Sequence, residues 1–280
     1  MFLGNMAKDG GNLIFDRNER SELLQNKNVP PFLVRDFWGA DEVLQGVPRC
    51  CLWITENVLP TALENDFIRS RIEAVRKFRL ASKAPSTRDR ATISYRFVQL
   101  SAMSGETAIV VPAITSENRE YLPVTVTRDN AIIGHKCYAI YDAPLWNMAL
   151  IASRLHWVWI GTICARMRTD FSYSNTLGWN TFPVPTLTDK NKADLTRCGE
   201  DILLAREHHF PATIANLYDP DAMPDDLRQA HDRNDEALER IYIGRRFKND
   251  TERLEKLFDL YTKMIAAATT PKKQTEKAGQ

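Results

Sequence analysis

The sequence has no strong excess of charge, few cysteines and no long apolar run, and each shortage closes off a class of protein. Its 37 Lys and Arg stand against 36 Asp and Glu, a formal net charge of +1. It is therefore no polycation, and any nucleic-acid contact must come from a local patch. The five cysteines (Cys50, Cys51, Cys137, Cys164 and Cys198) form an odd set with no Cys-x-x-Cys pair. That excludes a disulfide framework and a zinc ribbon, and points to reduced thiols in a cytoplasmic protein. No apolar stretch reaches the length of a bilayer span. Residues 1–15 lack the basic start and cleavage pattern of a signal peptide. A soluble protein without a membrane partner is expected.

Signatures of catalysis are scarce as well. GxSxG, HExxH, a Walker loop and GxGxxG are all missing. The Asn-Pro-Pro-aromatic tetrapeptide of amino-group DNA methyltransferases is not met either, since Asn28-Val29-Pro30-Pro31 carries an inserted Val. Cys50-Cys51 sits in an apolar run, where buried structural thiols are expected rather than nucleophiles. His208, His209 and His231 make a nonspecific set for a metal. No catalytic residue and no metal ligand is assigned.

What is present fills 280 residues, enough for two domains with their own cores. The first thirty residues look irregular apart from a turn at Asp9–Asn12 and a helix over 19–25, and are expected to act as a linker. Residues 31–47 hold a short helix, and RCCLWIT at 49–55 is expected as a buried strand. Residues 66–79 are expected as a helix with an apolar stripe of Phe67, Ile68, Ile72, Val75 and Phe78. Arg69, Arg71, Arg76, Lys77 and Arg79 cover the rest of it, and Arg88 and Arg90 follow. This is the most basic part of the chain. It suits phosphate contacts, which supply affinity without sequence information; a solvated amphipathic helix gives the same pattern. Short β-branched runs between 95 and 141 predict an antiparallel or mixed sheet. Residues 144–160, rich in Trp, predict one apolar core helix. After Pro185 the helices 190–207, 225–242 and 249–268 are expected, then a disordered tail. The fold class is thus α+β: a mixed α/β domain over 1–185, a small helical bundle over 186–268, and a tail over 269–280.

The stretch ICARMRTDFSYSNTLGWNTFPVP, residues 163–185, organises the rest. Taken as one extended strand, it puts Arg166, Arg168, Asp170 and Ser172 on one face, with Met167, Phe171 and Tyr173 mostly on the other. Such a mixed row is what base-edge readout needs. Arg pairs with guanine O6 and N7, a carboxylate accepts from cytosine N4, and Ser serves either role. A solvated edge strand produces the same spacing.

Six blocks in order resemble the C-terminal half of MmeI-like type IIL restriction–modification enzymes. These single chains combine a nuclease, an adenine-N6 DNA methyltransferase and a target recognition domain. The blocks are GNMAKDGGNLIF, PFLVRDFWGADEVLQGVPRCCLWI, RIEAVRKFRLAS, IVVPAITSENREYLPV, SRLHWVWIGTICARMRTDFSYSNTLGWNTFPVP and the helical LRQAHDRNDEALERIYIG with RLEKLFDLY. Together they span nearly the whole chain. The resemblance implies a target recognition domain followed by a C-terminal helical domain, with double-stranded DNA and the methyltransferase domain as partners. In the family the alternating residues before Tyr-Ser read base pairs, which implicates Arg168, Asp170 and Ser172. Many members carry Lys or Glu at the first of these and Arg at the third, so Arg168 and Ser172 depart from the pattern. His135 and Lys136, in a strand over 135–137, are expected to add a second reading face. The nuclease and methyltransferase motifs would lie upstream of Met1, so the chain is expected to be a fragment or a separately encoded specificity piece. S-adenosylmethionine and Mg belong by implication to the full-length parent, and no cofactor is expected in this chain. The alternatives are an interaction module, a nonspecific DNA clamp, and a hydrolase built on Cys50 or Cys51 with a His.

Overall fold

The computed structural model describes residues 1–101 and 105–269. The expected tail, except Thr269, lies outside the described residues. In chain order the structure runs β1 (Phe2–Leu3), β2 (Ile14–Phe15), α1 (Glu19–Gln25), β3 (Val34–Trp38), α2 (Ala40–Gln45) and β4 (Arg49–Leu52). Next come α3 (Leu59–Glu64), α4 (Asp66–Leu80), α5 (Pro85–Arg88), β5 (Ala108–Pro112), β6 (Ile114–Thr115), β7 (Thr125–Thr127), β8 (Ile132–Ile133) and β9 (Cys137–Tyr141). Then follow α6 (Trp146–Ile151), α7 (Arg154–Ile163), β10 (Ala165–Met167) and β11 (Asp170–Ser172). The helices α8 (Asp189–His208), α9 (Ile214–Leu217), α10 (Asp225–Ile243) and α11 (Asp250–Thr269) close the described chain. This is a mixed α/β part followed by a helical part, the expected fold class.

Three small sheets carry the first part. Their orders are β1-β9-β5-β7, β2-β4-β3-β8 and β10-β11-β6. Pairing is antiparallel except between β3 and β8. The first thirty residues are no linker. β1 pairs with β9 and β2 with β4, and Leu13 and Phe15 are buried. Burying these apolar groups contributes on the order of 2 kcal/mol each, which holds the segment against the domain. The strand β3 is not anticipated by the helical reading of 31–47. The apolar run 144–160 is two helices, because Ser153 leaves the helical conformation and accepts from His156 N at 3.2 Å to cap α7.

The composition changes near Pro185, but the packing does not stop there. One cluster joins Ile109, Val111 and Phe171 to Ile202, Leu217 and Leu227. Another joins Leu155 and Trp159 to Leu195, Leu238 and Leu257. A third, around Leu13, Phe37, Leu52, Ile68 and Val75, belongs to the first part alone. The helical part therefore completes the core behind α6, α7 and the third sheet.

Candidate nucleic-acid interface

Residues 163–173 are not one extended strand. β10 and β11 form a hairpin with Arg168 and Thr169 as its two-residue turn, and Ala165, Arg166 and Met167 face Ser172, Phe171 and Asp170 in register. Directly paired residues share a face of a sheet, so the turn inverts the expected alternation. Asp170 and Ser172 lie on one face together with Met167, which is 58% exposed. Arg166 shares the other face with Phe171. There its guanidinium lies 4.7 Å from the Phe171 ring centre. It also ion-pairs with Glu117 and donates to the Thr169 carbonyl at 3.0 Å. Arg166 is thus a brace for the hairpin, not a member of the Asp170 row. Period-2 reasoning fails here because a two-residue turn reverses the chain without a glycine to announce it.

Arg168 occupies the tip with φ of 60°. A non-glycine residue in this region is strained by roughly 1–2 kcal/mol, and Arg168 is exposed there. Among the described residues Arg168 makes no side-chain hydrogen bond or ion pair. Its seat is rigid. Phe171 is buried against Trp157 with ring centres 5.0 Å apart, and a Cβ on Gly161 of α7 would meet the Phe171 ring at 2.9 Å. Next along, Tyr173 bonds His156 Nε2 at 3.1 Å. Burial pushes His156 down to about 3, so this imidazole stays neutral and serves packing.

The expected basic face of α4 divides three ways. Arg79 is completely buried. It donates to the carbonyls of Ala7, Lys8, Arg90, Ile93 and Arg96 at 2.7–3.0 Å. Burial lowers its pKa to about 10, leaving it charged at neutral pH. It cannot reach a phosphate and leaves that set. Its position was legible, since Ile68, Ile72, Val75 and Arg79 follow helical spacing along one stripe, whereas Phe78, expected inside, is 46% exposed. Other arginines are partly committed. Arg69 pairs with Asp66, Arg76 with Glu73, and Arg88 donates to the Ser82 and Lys83 carbonyls. Arg71 lies 4.8 and 5.2 Å from the Phe15 and Phe67 ring centres and donates to Asn12 Oδ1 at 3.2 Å. Lys77 and Arg90 are exposed, with no side-chain partner among the described residues.

His135 and Lys136 are exposed in the turn between β8 and β9 rather than in a strand. They line a cleft of about 180 Å³ with Lys8, Asp9, Glu42 and Arg49. The His135 pKa is lowered, by partial burial first and then by Lys136 and Lys8. Lys8 Nζ donates to Thr87 Oγ1 of α5 at 3.1 Å. Lys8, which sequence reasoning missed, thus lines this cleft while bonded to α5. Nothing in the local pattern of residues 1–12 signals that contact. The remaining sequence candidates carry no site. Cys50 and Cys51 are buried, with the Cys50 thiol pushed up to about 11 and that of Cys51 raised by burial. Neither is a thiolate nucleophile. His231 is buried between Tyr218 and the Ala152 carbonyl, and His209 bonds Asp226. No helix among the described residues is long and apolar enough to cross a membrane.

DNA methyltransferase A of Bacillus subtilis (strain 168) is 34% identical over 266 residues, covering 94% of this chain and 30% of that protein. A solved structure of the type IIL restriction–modification enzyme MmeI in complex with DNA superposes with a TM-score of 0.86 at 29% identity, over 94% of this chain and 35% of that one. The chain thus spans about a third of the length of these relatives. The model of the MmeI target recognition domain matches residues 1–186, and that of the MmeI C-terminal domain matches residues 187–268. The chain belongs to the MmeI family, as a target recognition domain followed by the family's C-terminal domain.

Proposed function

We propose that this chain recognises a specific double-stranded DNA sequence and presents it to an adenine-N6 methyltransferase domain of the kind its longer relatives imply. The observation that carries this reading is the hairpin tip. A strained arginine with no partner among the described residues stands beside a carboxylate and a hydroxyl on a hairpin packed through Phe171. Arg168 would take guanine through O6 and N7, Asp170 would accept from cytosine N4, and Ser172 would serve either role. His135 and Lys136 form the second candidate contact. Lys77 and Arg90 are the freest phosphate ligands, supplemented by Arg69, Arg71, Arg76 and Arg88 after their internal partners are exchanged. S-adenosylmethionine and Mg would act in the longer protein, outside this chain. The reading is tested by selecting bound duplexes from a randomised pool at two salt concentrations. One short motif should be enriched, and Arg168→Ala and Asp170→Ala should each erase a single position of it. Salt-sensitive binding without enrichment would leave a nonspecific clamp. No binding at either salt would overturn the DNA reading for the isolated chain.

A further inference from the structure

The segment that joins the hairpin to α8, residues 177–187, carries apolar groups that the core leaves uncovered. Leu177 and Val184 are exposed and Trp179 is half-buried. Pro183 and Pro185 keep the segment extended and remove two amide donors. Three contacts fix it in place. Trp159 Nε1 of α7 donates to Thr181 Oγ1 at 3.2 Å, Tyr242 Oη of α10 donates to the Pro183 carbonyl at 2.7 Å, and the Phe182 and His156 ring centres lie 4.6 Å apart. Opposite, α6 is seated closely on α8: a Cβ on Gly199 would meet the Leu145 side chain, just before α6, at 3.1 Å. A cavity of about 520 Å³ opens here, lined by Trp146, Leu150, Trp179, Phe182 and Leu187. Small-molecule sites span roughly 300–1,000 Å³ and are mostly apolar with a few fixed polar groups.

The polar groups of this cavity have room for a partner. Asn147 of α6 lines it and is only 8% exposed. Its Nδ2 donates to the Pro144 carbonyl at 2.9 Å, while its Oδ1 accepts from no group among the described residues. The large majority of buried side-chain acceptors are bonded, so this oxygen calls for a donor. Trp146 and Trp179 are both half-buried, and neither indole N–H has an acceptor among the described residues. The cation in the lining is Lys192, in the first turn of α8. It meets the exposed Asp189 loosely, with Nζ 3.5 Å from Oδ1.

Two indole rings, a buried acceptor and a cation suit a flat ring that bears an N–H and an anionic group. We propose that this cavity binds a nucleotide, with its base against Trp146 and Trp179, a base N–H on Asn147 Oδ1 and the phosphate on Lys192. Every base offers a π-face, so stacking of this kind tolerates any of them. Lys192 exchanges the single charge of Asp189 for a phosphate with more charge and three acceptor oxygens. The nucleotide comes either free or as an unstacked end of a DNA strand. The site shares no residue with the hairpin or the basic region, and the proposal does not rest on how those are read.

Calorimetric titration of the whole chain tests it, with AMP, adenosine, inorganic phosphate, a blunt duplex and the same duplex with one unpaired adenosine nucleotide as probes. AMP should bind, adenosine roughly tenfold more weakly, and inorganic phosphate undetectably. Lys192→Ala should bring AMP down to the affinity of adenosine and leave adenosine unchanged. Asp189→Asn should raise the affinity for AMP by freeing Lys192. Trp146→Leu should weaken AMP and adenosine alike by roughly tenfold, with thermal melting to verify that the variant is folded. Tighter binding of the overhang duplex than of the blunt one, lost in Trp146→Leu, would identify a DNA strand end as the source, and equal binding of the two would identify the free nucleotide. Inorganic phosphate binding as tightly as AMP would reduce the cavity to an ion contact and overturn the proposal. AMP binding indifferent to Lys192→Ala and Trp146→Leu would overturn it too, as would the absence of both AMP binding and an overhang preference. Arg168→Ala should leave AMP binding unchanged, so a failure of the hairpin reading and a failure of this one are separable.

Discussion

The helix α4 and the hairpin β10–β11 are both built around arginines, and they use them in opposite ways. α4 carries five cationic residues after Asp66, yet its last arginine, Arg79, is spent on five backbone carbonyls inside the domain. The hairpin carries only Arg166 and Arg168. One is spent as a brace over Phe171, and the other, at the tip, has no side-chain partner among the described residues. Charge density on a sequence is therefore a poor guide to which cations can meet a ligand. What matters is whether the fold has already supplied their acceptors, since a guanidinium with its donors filled gains little from a phosphate.

The sharpest break between the two regions should come from Arg79→Leu. It strips the donors from five buried or half-buried carbonyls, so denaturant unfolding should show a loss of about 3–5 kcal/mol. A stability change under about 1 kcal/mol would mean that the buried network is not what holds α4 to the first residues of the chain. In the hairpin the effect should move from stability to recognition. Arg168→Ala should leave the unfolding midpoint nearly unchanged while weakening binding to the preferred duplex by about 1–3 kcal/mol, as measured by titration against a duplex changed at one position. Smaller still, Arg168→Gly should relieve the φ of 60° and raise stability by up to about 1 kcal/mol. That substitution separates the strain at the tip from the guanidinium it projects. The smallest effect is expected of Lys77→Ala or Arg90→Ala. Each should lower the slope of log affinity against log salt by about 1 without altering the preferred motif. A change of motif in either would place the basic region in base contact and erase the distinction drawn here.

Much of this was legible from residues alone. The stripe Ile68, Ile72 and Val75 announced α4, the β-branched run Ala108–Pro112 announced β5, and buried Phe171 and Tyr173 followed from alternation. Where reading failed, it failed for identifiable reasons. Arg79 was assigned to the surface by residue type although its spacing put it on the apolar stripe. Arg166 was placed with Asp170 because nothing in Met167-Arg168-Thr169-Asp170 signals a tight turn. Residues 1–30 were read as a linker because two-residue strands are too short to show a period, and their partners lie far along the chain. Lys8 and Glu117 were missed as participants for the same reason: their neighbours come from other elements.

By itself the sequence determined the helical and β-rich stretches and the mixed donor and acceptor chemistry around Asp170, because these depend on residue type and local period. Only the tertiary structure decided which cations are free. Hydrogen-bond partners such as the carbonyls around Arg79 and the Glu117 carboxylate beside Arg166 are brought together by long-range packing, which no local pattern encodes.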